Sequence, residues 1–311
     1  MPKAGTVALV GRPNAGKSTL LNRLLGEKLA IVSDKPQTTR HRIVGILSEP
    51  ERGQIVFHDT PGLHRPLHKL NQQMVQASRE AMNGCDALCL LVDASQSFGA
   101  GDRYALELVE RAGAPRKIAV LNKIDRIKKP ALLPLMGRYG RGGAFSDIVP
   151  ISAETGEGCG ELLEVLWNAM PEGEPFYDAD LLTVHPDRFL ASERIREKLL
   201  QSTMNELPYT TAVTIDQWEE EGGLVRIFAS ILVERESQKK IVIGHGGSKI
   251  KEIGTAARHD LERFLGRRVY LDLRVKDEPG WREHPRILAE LDRDLYATGD
   301  QLSDDLPEDP E

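Results

Sequence analysis

Gly11-Arg12-Pro13-Asn14-Ala15-Gly16-Lys17-Ser18 is the stretch on which the reading of this chain turns. It follows an apolar run over residues 6–10 and leads into residues 19–25, where apolar positions 20, 21, 24 and 25 form one stripe at helical spacing. Between a buried strand and a helix, the pattern G-x-x-x-x-G-K-S is a phosphate cradle. Its glycines let the backbone come close, and N–H groups of the loop and helix N-terminus converge on an anion. Gly11, Asn14, Ala15, Gly16, Lys17, Ser18 and Thr19 form the expected cradle, with Lys17 reaching the β- and γ-phosphates and the Ser18 hydroxyl a ligand for Mg²⁺. The competing reading is an ordinary glycine turn with an exposed lysine. The loop alone does not name the base.

At 311 residues, 28% charged, with net charge −6, the chain suits about two domains and is no overall polycation. Residues 1–3 run almost directly into the first strand, which is read as leaving no room for a signal peptide. No run approaches the roughly 18 apolar residues of a membrane span. Cys85, Cys89 and Cys159 are sparse and odd in number, which argues against a disulfide framework or thiolate zinc site and for a reducing cytoplasm. His64 and His68 have i,i+4 spacing but lack a third ligand at metal-site spacing.

Strand-like runs recur at residues 6–10, 43–47, 54–57, 87–92, 118–121 and 148–151, with helical patterns at 70–82, 102–111 and 160–170. This alternation predicts a mostly parallel sheet covered on both faces, with ligands bound beyond the carboxyl ends of the strands. The informative polar residues stand at those ends. Asp59-Thr60-Pro61-Gly62 follows one strand, a carboxylate for the Mg²⁺ shell and a glycine N–H for a γ-phosphate; taken alone, a turn is the better reading. Asn122-Lys123-Ile124-Asp125 follows another. Guanine presents N1–H and an amino group on one edge, which the Asp125 carboxylate accepts bidentately; adenine has no such pair of donors. Ser152-Ala153-Glu154 is a turn whose N–H groups reach for guanine O6.

Together these segments resemble the G1, G3, G4 and G5 boxes of the GTPase fold, implying a Ras-like P-loop G domain over residues 1–172 that binds GTP or GDP with Mg²⁺. The missing switch threonine is sought in residues 34–40, with Thr39 favoured over Thr38 as the ligand to Mg²⁺ beside Ser18 and Asp59. Lys17, Asn14, Thr39 and Gly62 are the candidate catalytic residues. Ras-like proteins carry glutamine directly after the DxxG glycine, whereas Leu63 stands there in this chain, so intrinsic turnover is expected to be slow. Asn14 matches the position of the asparagine that helps hold K⁺ in some GTPases with an apolar residue at that place. Arg12 and Arg40 are read as solvent or partner contacts ahead of an arginine finger. Residues 137–143, glycine-rich with two arginines, are read as a surface loop before the last strand, with an RNA-binding tract as the alternative.

Pro171 to Pro175 break the last helix, and residues 173–185 are read as a linker. A helix over 193–207, strands at 211–215 and 224–233, a short helix or turn at 237–243, a helix over 248–265 and a strand at 269–275 follow. Gly244-His245-Gly246-Gly247 joins two of these helices as a G-x-x-G loop, the device that clamps about four nucleotides of single-stranded RNA. Residues 235–276 hold 11 Lys+Arg against 5 Asp+Glu, among them Lys239, Lys240, Lys249, Lys251 and Arg258. A local positive face within an acidic chain is an RNA footprint; the alternative is a salt-bridged solvated face. The order resembles an α+β type II KH domain, placed at residues 186–295. Because the loop offers His245 and Gly246 where a basic residue is common, more weight falls on Lys249 and Lys251. Residues 296–311 are read as an acidic, disordered tail.

Residues 35–42 (KPQTTRHR), 192–199 (SERIREKL), 233–240 (VERESQKK), 275–276 and Trp281, added to the boxes and the KH order, resemble the Era family of KH-domain GTPases across nearly the whole chain. That resemblance implies a cytoplasmic, monomeric GTPase that assists assembly of the 30S ribosomal subunit, binds the 3′ end of 16S rRNA, and associates peripherally with the inner membrane. Two other classes stay open: an RNA-binding module with little turnover, and a membrane-associated or cell-cycle-linked G-protein, since a basic face binds anionic lipid as well as RNA.

Overall fold

The computed structural model describes residues 1–35, 38–63, 69–203 and 207–296. The chain forms two compact units, Met1–Val184 with Leu199–Thr210, and His185–Lys198 with the residues from Thr211 onward. In the first unit β1 (Lys3–Gly11), β3 (Gly53–Asp59), β4 (Ala87–Asp93), β5 (Arg116–Asn122) and β6 (Asp147–Pro150) run parallel, and β2 (Ile43–Glu49) lies antiparallel to β3. The sheet order is β2-β3-β1-β4-β5-β6. These strands are continuous runs of Val, Ile, Leu and Ala, such as the fully buried Val7–Val10 and Ile118–Leu121, because helices cover both faces. The helices of this unit are α1 (Lys17–Leu25), α2 (Lys69–Asn83), α3 (Ala100–Arg111), α4 (Leu132–Gly140) and α5 (Cys159–Ala169).

The register sets Leu9 beside Asp59, Gly11 beside Leu91 and Asp93 beside Asn122, so the carboxyl ends of β1, β3, β4 and β5 share one rim. That alignment gathers the polar residues which the sequence scatters over more than a hundred positions.

One expectation needs correction. Residues 137–143 are not one loop, since α4 runs through Gly140. Leu135, Met136 and Tyr139 share one face and pack on the core beside β5, and Tyr139 stands edge-on to Phe98 and Phe145 with centroids 6.4 and 6.1 Å apart. Arg138 lies 4.8 Å over the Phe98 ring, so that arginine is engaged within the fold. Within 173–185, in turn, the chain lies along β2 and β3. Ile46 N donates to Leu182 O at 2.8 Å and Thr183 Oγ1 to Val44 O at 2.5 Å. The buried Gln54 amide accepts from Phe176 N at 2.8 Å and donates to Tyr177 O at 2.9 Å. An edge strand left bare exposes unpaired N–H and C=O groups, and this strap covers one.

The later elements are α6 (Asp187–Ser202), the short α7 (Leu207–Thr210), β7 (Thr211–Glu221), β8 (Leu224–Val233), α8 (Glu236–Ile243), α9 (Ser248–Leu265), β9 (Arg268–Asp277) and α10 (Pro285–Tyr296). The sheet order is β7-β8-β9, with β7 antiparallel and β9 parallel to β8. Ile253, Ala257 and Leu261 recur at i, i+4, i+8 on α9 and are fully buried. Asp260, buried on the same helix, is balanced by Arg194 at 3.3 Å, Lys198 at 3.5 Å and Arg263 at 3.2 Å. A buried carboxylate left without such partners is costly. Among the described residues no helix is long and apolar enough to cross a membrane. The acidic stretch 300–311 and His64 and His68 lie outside the described residues.

Candidate functional site: a nucleotide pocket and a glycine loop

The loop between β1 and α1 holds a backbone that glycine permits. Gly16, which caps α1, has φ 95°, and a Cβ there would stand 2.3 Å from the Asn122 amide nitrogen. Asn14 reaches the left-handed region without being glycine, at φ 62°. Its side-chain amide donates to Asp34 O at 2.7 Å. Lys17 is buried and donates from Nζ to Arg12 O at 3.2 Å and Gly11 O at 3.5 Å.

The expected metal ligands converge. Ser18 Oγ donates to Asp59 Oδ2 at 2.6 Å and lies 2.8 Å from Thr39 Oγ1, which is itself 3.4 Å from Asp59 Oδ2. Thr38 Oγ1 donates instead to Lys35 O at 2.7 Å. Asp59 is wholly buried, and its Oδ1 has no hydrogen-bond partner among the described residues. Burial pushes the Asp59 carboxyl up to about 6, against the Lys17 charge and the hydrogen bonds from Ser18 and Thr39. Burial likewise holds Lys17 below its ordinary value, with Asp59 pulling the other way. Three hard oxygen donors meet at one buried point where a carboxylate oxygen is unmatched. That donor set suits a small divalent cation such as Mg²⁺.

Beyond this end lies a cavity of about 530 Å³ with Asn14, Gly16, Thr19, Asp125, Ala153 and Glu154 in its wall. Its size is that of a small-molecule site. Asn122 knits the wall together: Nδ2 donates to Ala15 O at 2.8 Å, while Oδ1 accepts from Ala153 N at 2.9 Å and Lys123 N at 2.8 Å. Arg23, unmarked by the sequence reading, supports the 152–154 turn from α1 by donating to Ala153 O at 3.2 Å and Glu154 O at 2.5 Å. Asp125 is exposed to the opening. Not every expected residue lines the space. Ser152 is buried behind the turn, where its hydroxyl accepts from Thr155 N at 3.1 Å, and its N–H goes to Glu157 O. With the Ala153 N–H on Asn122, two of the three turn amides are spent within the protein. Gly11 likewise sits behind the loop, its carbonyl accepting from Leu63 N at 2.8 Å.

Gly62 is required by packing, since a Cβ there would stand 2.7 Å from Pro13 N. Leu63 is fully buried in the core, so that side chain has no access to a water at the phosphate end. Arg12 is drawn to α3 by an ion pair with Asp102 at 2.7 Å, and Arg40 is buried. Neither is a free arginine finger in this conformation.

The G-x-x-G loop is open by contrast. Gly244 has φ 75° and ψ 176°, a region essentially closed to side chains, and a Cβ there would stand 2.6 Å from Lys249 Cβ. Gly246 and Gly247 are left-handed with open space around them, and His245 is exposed. The basic residues divide into two groups. Lys239 pairs with Asp277 at 3.0 Å, Lys240 with Glu236 at 3.2 Å and Arg258 with Glu262 at 2.8 Å. Lys249 and Lys251, in the first turn of α9, enter no ion pair among the described residues.

Residues 6–123 match the family model described as 50S ribosome-binding GTPase, and residues 206–282 match the KH domain model. The chain is 46% identical over 293 residues to GTPase Era of Syntrophus aciditrophicus, covering 94% of this chain and 95% of that protein. It is 43% identical to GTPase Era of Staphylococcus haemolyticus, over 93% of this chain and 96% of that one. Among solved structures, Era in complex with MgGDPNP and nucleotides 1506–1542 of 16S ribosomal RNA is similar at TM-score 0.90 and 38% identity, covering 94% of this chain and 99% of that one. A variant of Aquifex aeolicus Era bound to GDP·AlF4⁻ follows at TM-score 0.88 and 39% identity, with 93% and 98% covered. With a G domain, a KH domain and this identity along nearly its full length, the chain belongs to the Era family of GTPases.

Proposed function

We propose that this GTPase is a switch whose nucleotide state controls a KH clamp on the 3′ end of 16S rRNA, and that it assists assembly of the 30S subunit. The observation that carries the reading is the buried meeting of Ser18, Thr39 and Asp59 beside Lys17, in the same chain as a solvent-open G-x-x-G loop. In this reading the G domain spans residues 1–172 and the KH domain 186–295.

Ser18, Thr39 and Asp59 would hold Mg²⁺, which when bound neutralises charge on the β- and γ-phosphates. Lys17 gives up its contacts with the Gly11 and Arg12 carbonyls and donates to phosphate oxygens. The Gly62 N–H meets the γ-phosphate, and Asp125 accepts from the guanine edge. Thr39 is preferred to Thr38 because the Thr38 hydroxyl is committed to Lys35 O. With Leu63 in the core, no side chain directly after Gly62 orients the attacking water, so unassisted turnover is slow. Asn14 is the candidate K⁺ ligand: its amide nitrogen is engaged by Asp34 O, which leaves the amide oxygen to face a cation. Lys249 and Lys251 carry the phosphate contacts of the clamp, with the backbone of residues 244–247 lying close to the RNA.

Crosslinking the GTP-loaded chain in cells and sequencing the bound RNA tests this reading. Reads concentrated at the 3′ end of 16S rRNA support it. Recovery of no rRNA, with binding to anionic vesicles instead, overturns it in favour of a membrane G-protein.

A further inference from the structure

Among the described residues two that are not glycine have positive φ, Asn14 at 62° and Lys123 at 66°. A single hydrogen bond joins them, from Lys123 Nζ to Asn14 O at 2.7 Å. The same Nζ lies 2.6 Å from Asp93 Oδ2. Left-handed backbone is uncommon outside glycine, with asparagine the residue that tolerates it best, and here the two positions are joined through one ammonium group.

Asp93 is aimed at that group independently of it. The residue ends β4 beside Asn122 on β5. Its Oδ1 accepts from Ser95 N at 3.0 Å and Ser95 Oγ at 2.6 Å, and Ala94 N donates to Asn122 O at 2.8 Å. The carboxylate is therefore fixed on one oxygen and offers the other to Lys123. Burial alone would raise Asp93, but the hydrogen bonds from Lys123 and Ser95 and the Lys123 charge together hold it below its ordinary value. The two side chains are only 16% and 20% exposed, so their attraction is less screened than that of a surface pair.

We propose that Asp93 is a positioning residue for guanine-nucleotide binding: by holding Lys123 across the Asn14 carbonyl, it locks the base-recognition loop and the phosphate loop at one spacing. This rests on the reading of Lys123 as part of the nucleotide site. Asp93, Asn14, Lys123 and Asp125 all line the same cavity. A pre-set spacing favours GDP and GTP alike, so its loss weakens binding uniformly and leaves the chemical step intact.

The test is dissociation of a fluorescent GDP from the full chain, with steady-state GTP hydrolysis alongside. Asp93→Asn keeps the acceptor for Ser95 and removes the charge. It is expected to speed GDP release about tenfold and to raise KM for GTP by a similar factor. At saturating GTP, kcat stays within about twofold. Lys123→Ala also speeds release, and the double variant is no faster than Lys123→Ala alone, because the residues act through one contact. Unchanged release in Asp93→Asn with faster release in Lys123→Ala overturns the role of Asp93 alone. Unchanged release in both overturns the reading of Lys123 as well. Losses that multiply in the double variant, or a lowered unfolding temperature of nucleotide-free Asp93→Asn at unchanged release, assign Asp93 to the fold instead.

Discussion

The glycine loops at Gly11–Ser18 and Gly244–Gly247 each lead into a helix N-terminus, and they are built on opposite plans. The loop at Gly11–Ser18 is enclosed. Lys17 and Ser18 are buried, and the side chains of Asp59, Asn122 and Thr39 close on it. The loop at Gly244–Gly247 is open, with His245 and Gly246 exposed and the Lys249 and Lys251 charges uncompensated by ion pairs among the described residues. Enclosure fixes distances, and therefore suits one ligand with a fixed chain of phosphates. Openness leaves charge and close backbone approach, which suits a flexible strand and should be salt-sensitive. Each plan can be broken separately.

The largest effect is expected at Lys17. Lys17→Ala should reduce phosphate release about 100- to 1,000-fold by removing the donor aimed at the transferring group, measured under single-turnover conditions. A variant that releases phosphate at the wild-type rate would show that the enclosed loop is not the reactive one.

Asp59 comes next, and its sign is unusual. Its folded-state pKa of about 6 lies above the 3.8 of the free group, so the native state holds more protons than the unfolded chain between those values. Stability of the nucleotide-free protein therefore falls as pH rises through that window. Asp59→Asn should be the more stable protein at pH above about 7, by at most about 3 kcal/mol, while binding Mg²⁺ poorly. Denaturant unfolding should show the difference vanish near about pH 4. A difference that does not change with pH contradicts a buried, uncompensated charge.

Asp125→Ala should weaken GTP ten- to a hundredfold, roughly the value of two charge-assisted hydrogen bonds, and leave ATP binding unchanged. Competition assays with the two nucleotides read this directly. Equal losses for GTP and ATP would mean that Asp125 supports the pocket without reading the base.

In the open loop the effects are smaller. Lys249→Ala with Lys251→Ala should weaken single-stranded RNA about tenfold and flatten the slope of log affinity against log salt by about 1.4, two contacts' worth. GTP affinity should not move. An unchanged salt slope would place the phosphate contacts elsewhere.

How much of this was legible in the sequence depended on whether a residue acts through a local pattern. The strand–loop–helix around Gly11–Ser18 and the G-x-x-G before α9 are set by nearest neighbours, and both stand where the sequence places them. The sequence favours Thr39 with Thr38 as the alternate, but adjacent residues share most local properties; what separates them is that one hydroxyl meets Asp59 and the other Lys35. Asp93 left a positional signal, a carboxylate at a strand end like Asp59. Its partner is 30 residues away, and only the β4–β5 register brings them together. The helix at 132–140 was obscured by its glycines. Tyr139 packing against Phe98 and Phe145 outweighs their low helix propensity. Likewise nothing in the composition of 173–185 announces that Gln54 and β2 will hold it.

The direct test of a nucleotide-controlled clamp is the affinity of the full chain for an RNA oligonucleotide from the 3′ end of 16S rRNA, measured with GDP and with a non-hydrolysable GTP analogue at one salt concentration. Binding several-fold tighter with the GTP analogue is expected, with the difference lost in Lys17→Ala. Equal affinity in both nucleotide states would mean that the enclosed loop and the open one work independently.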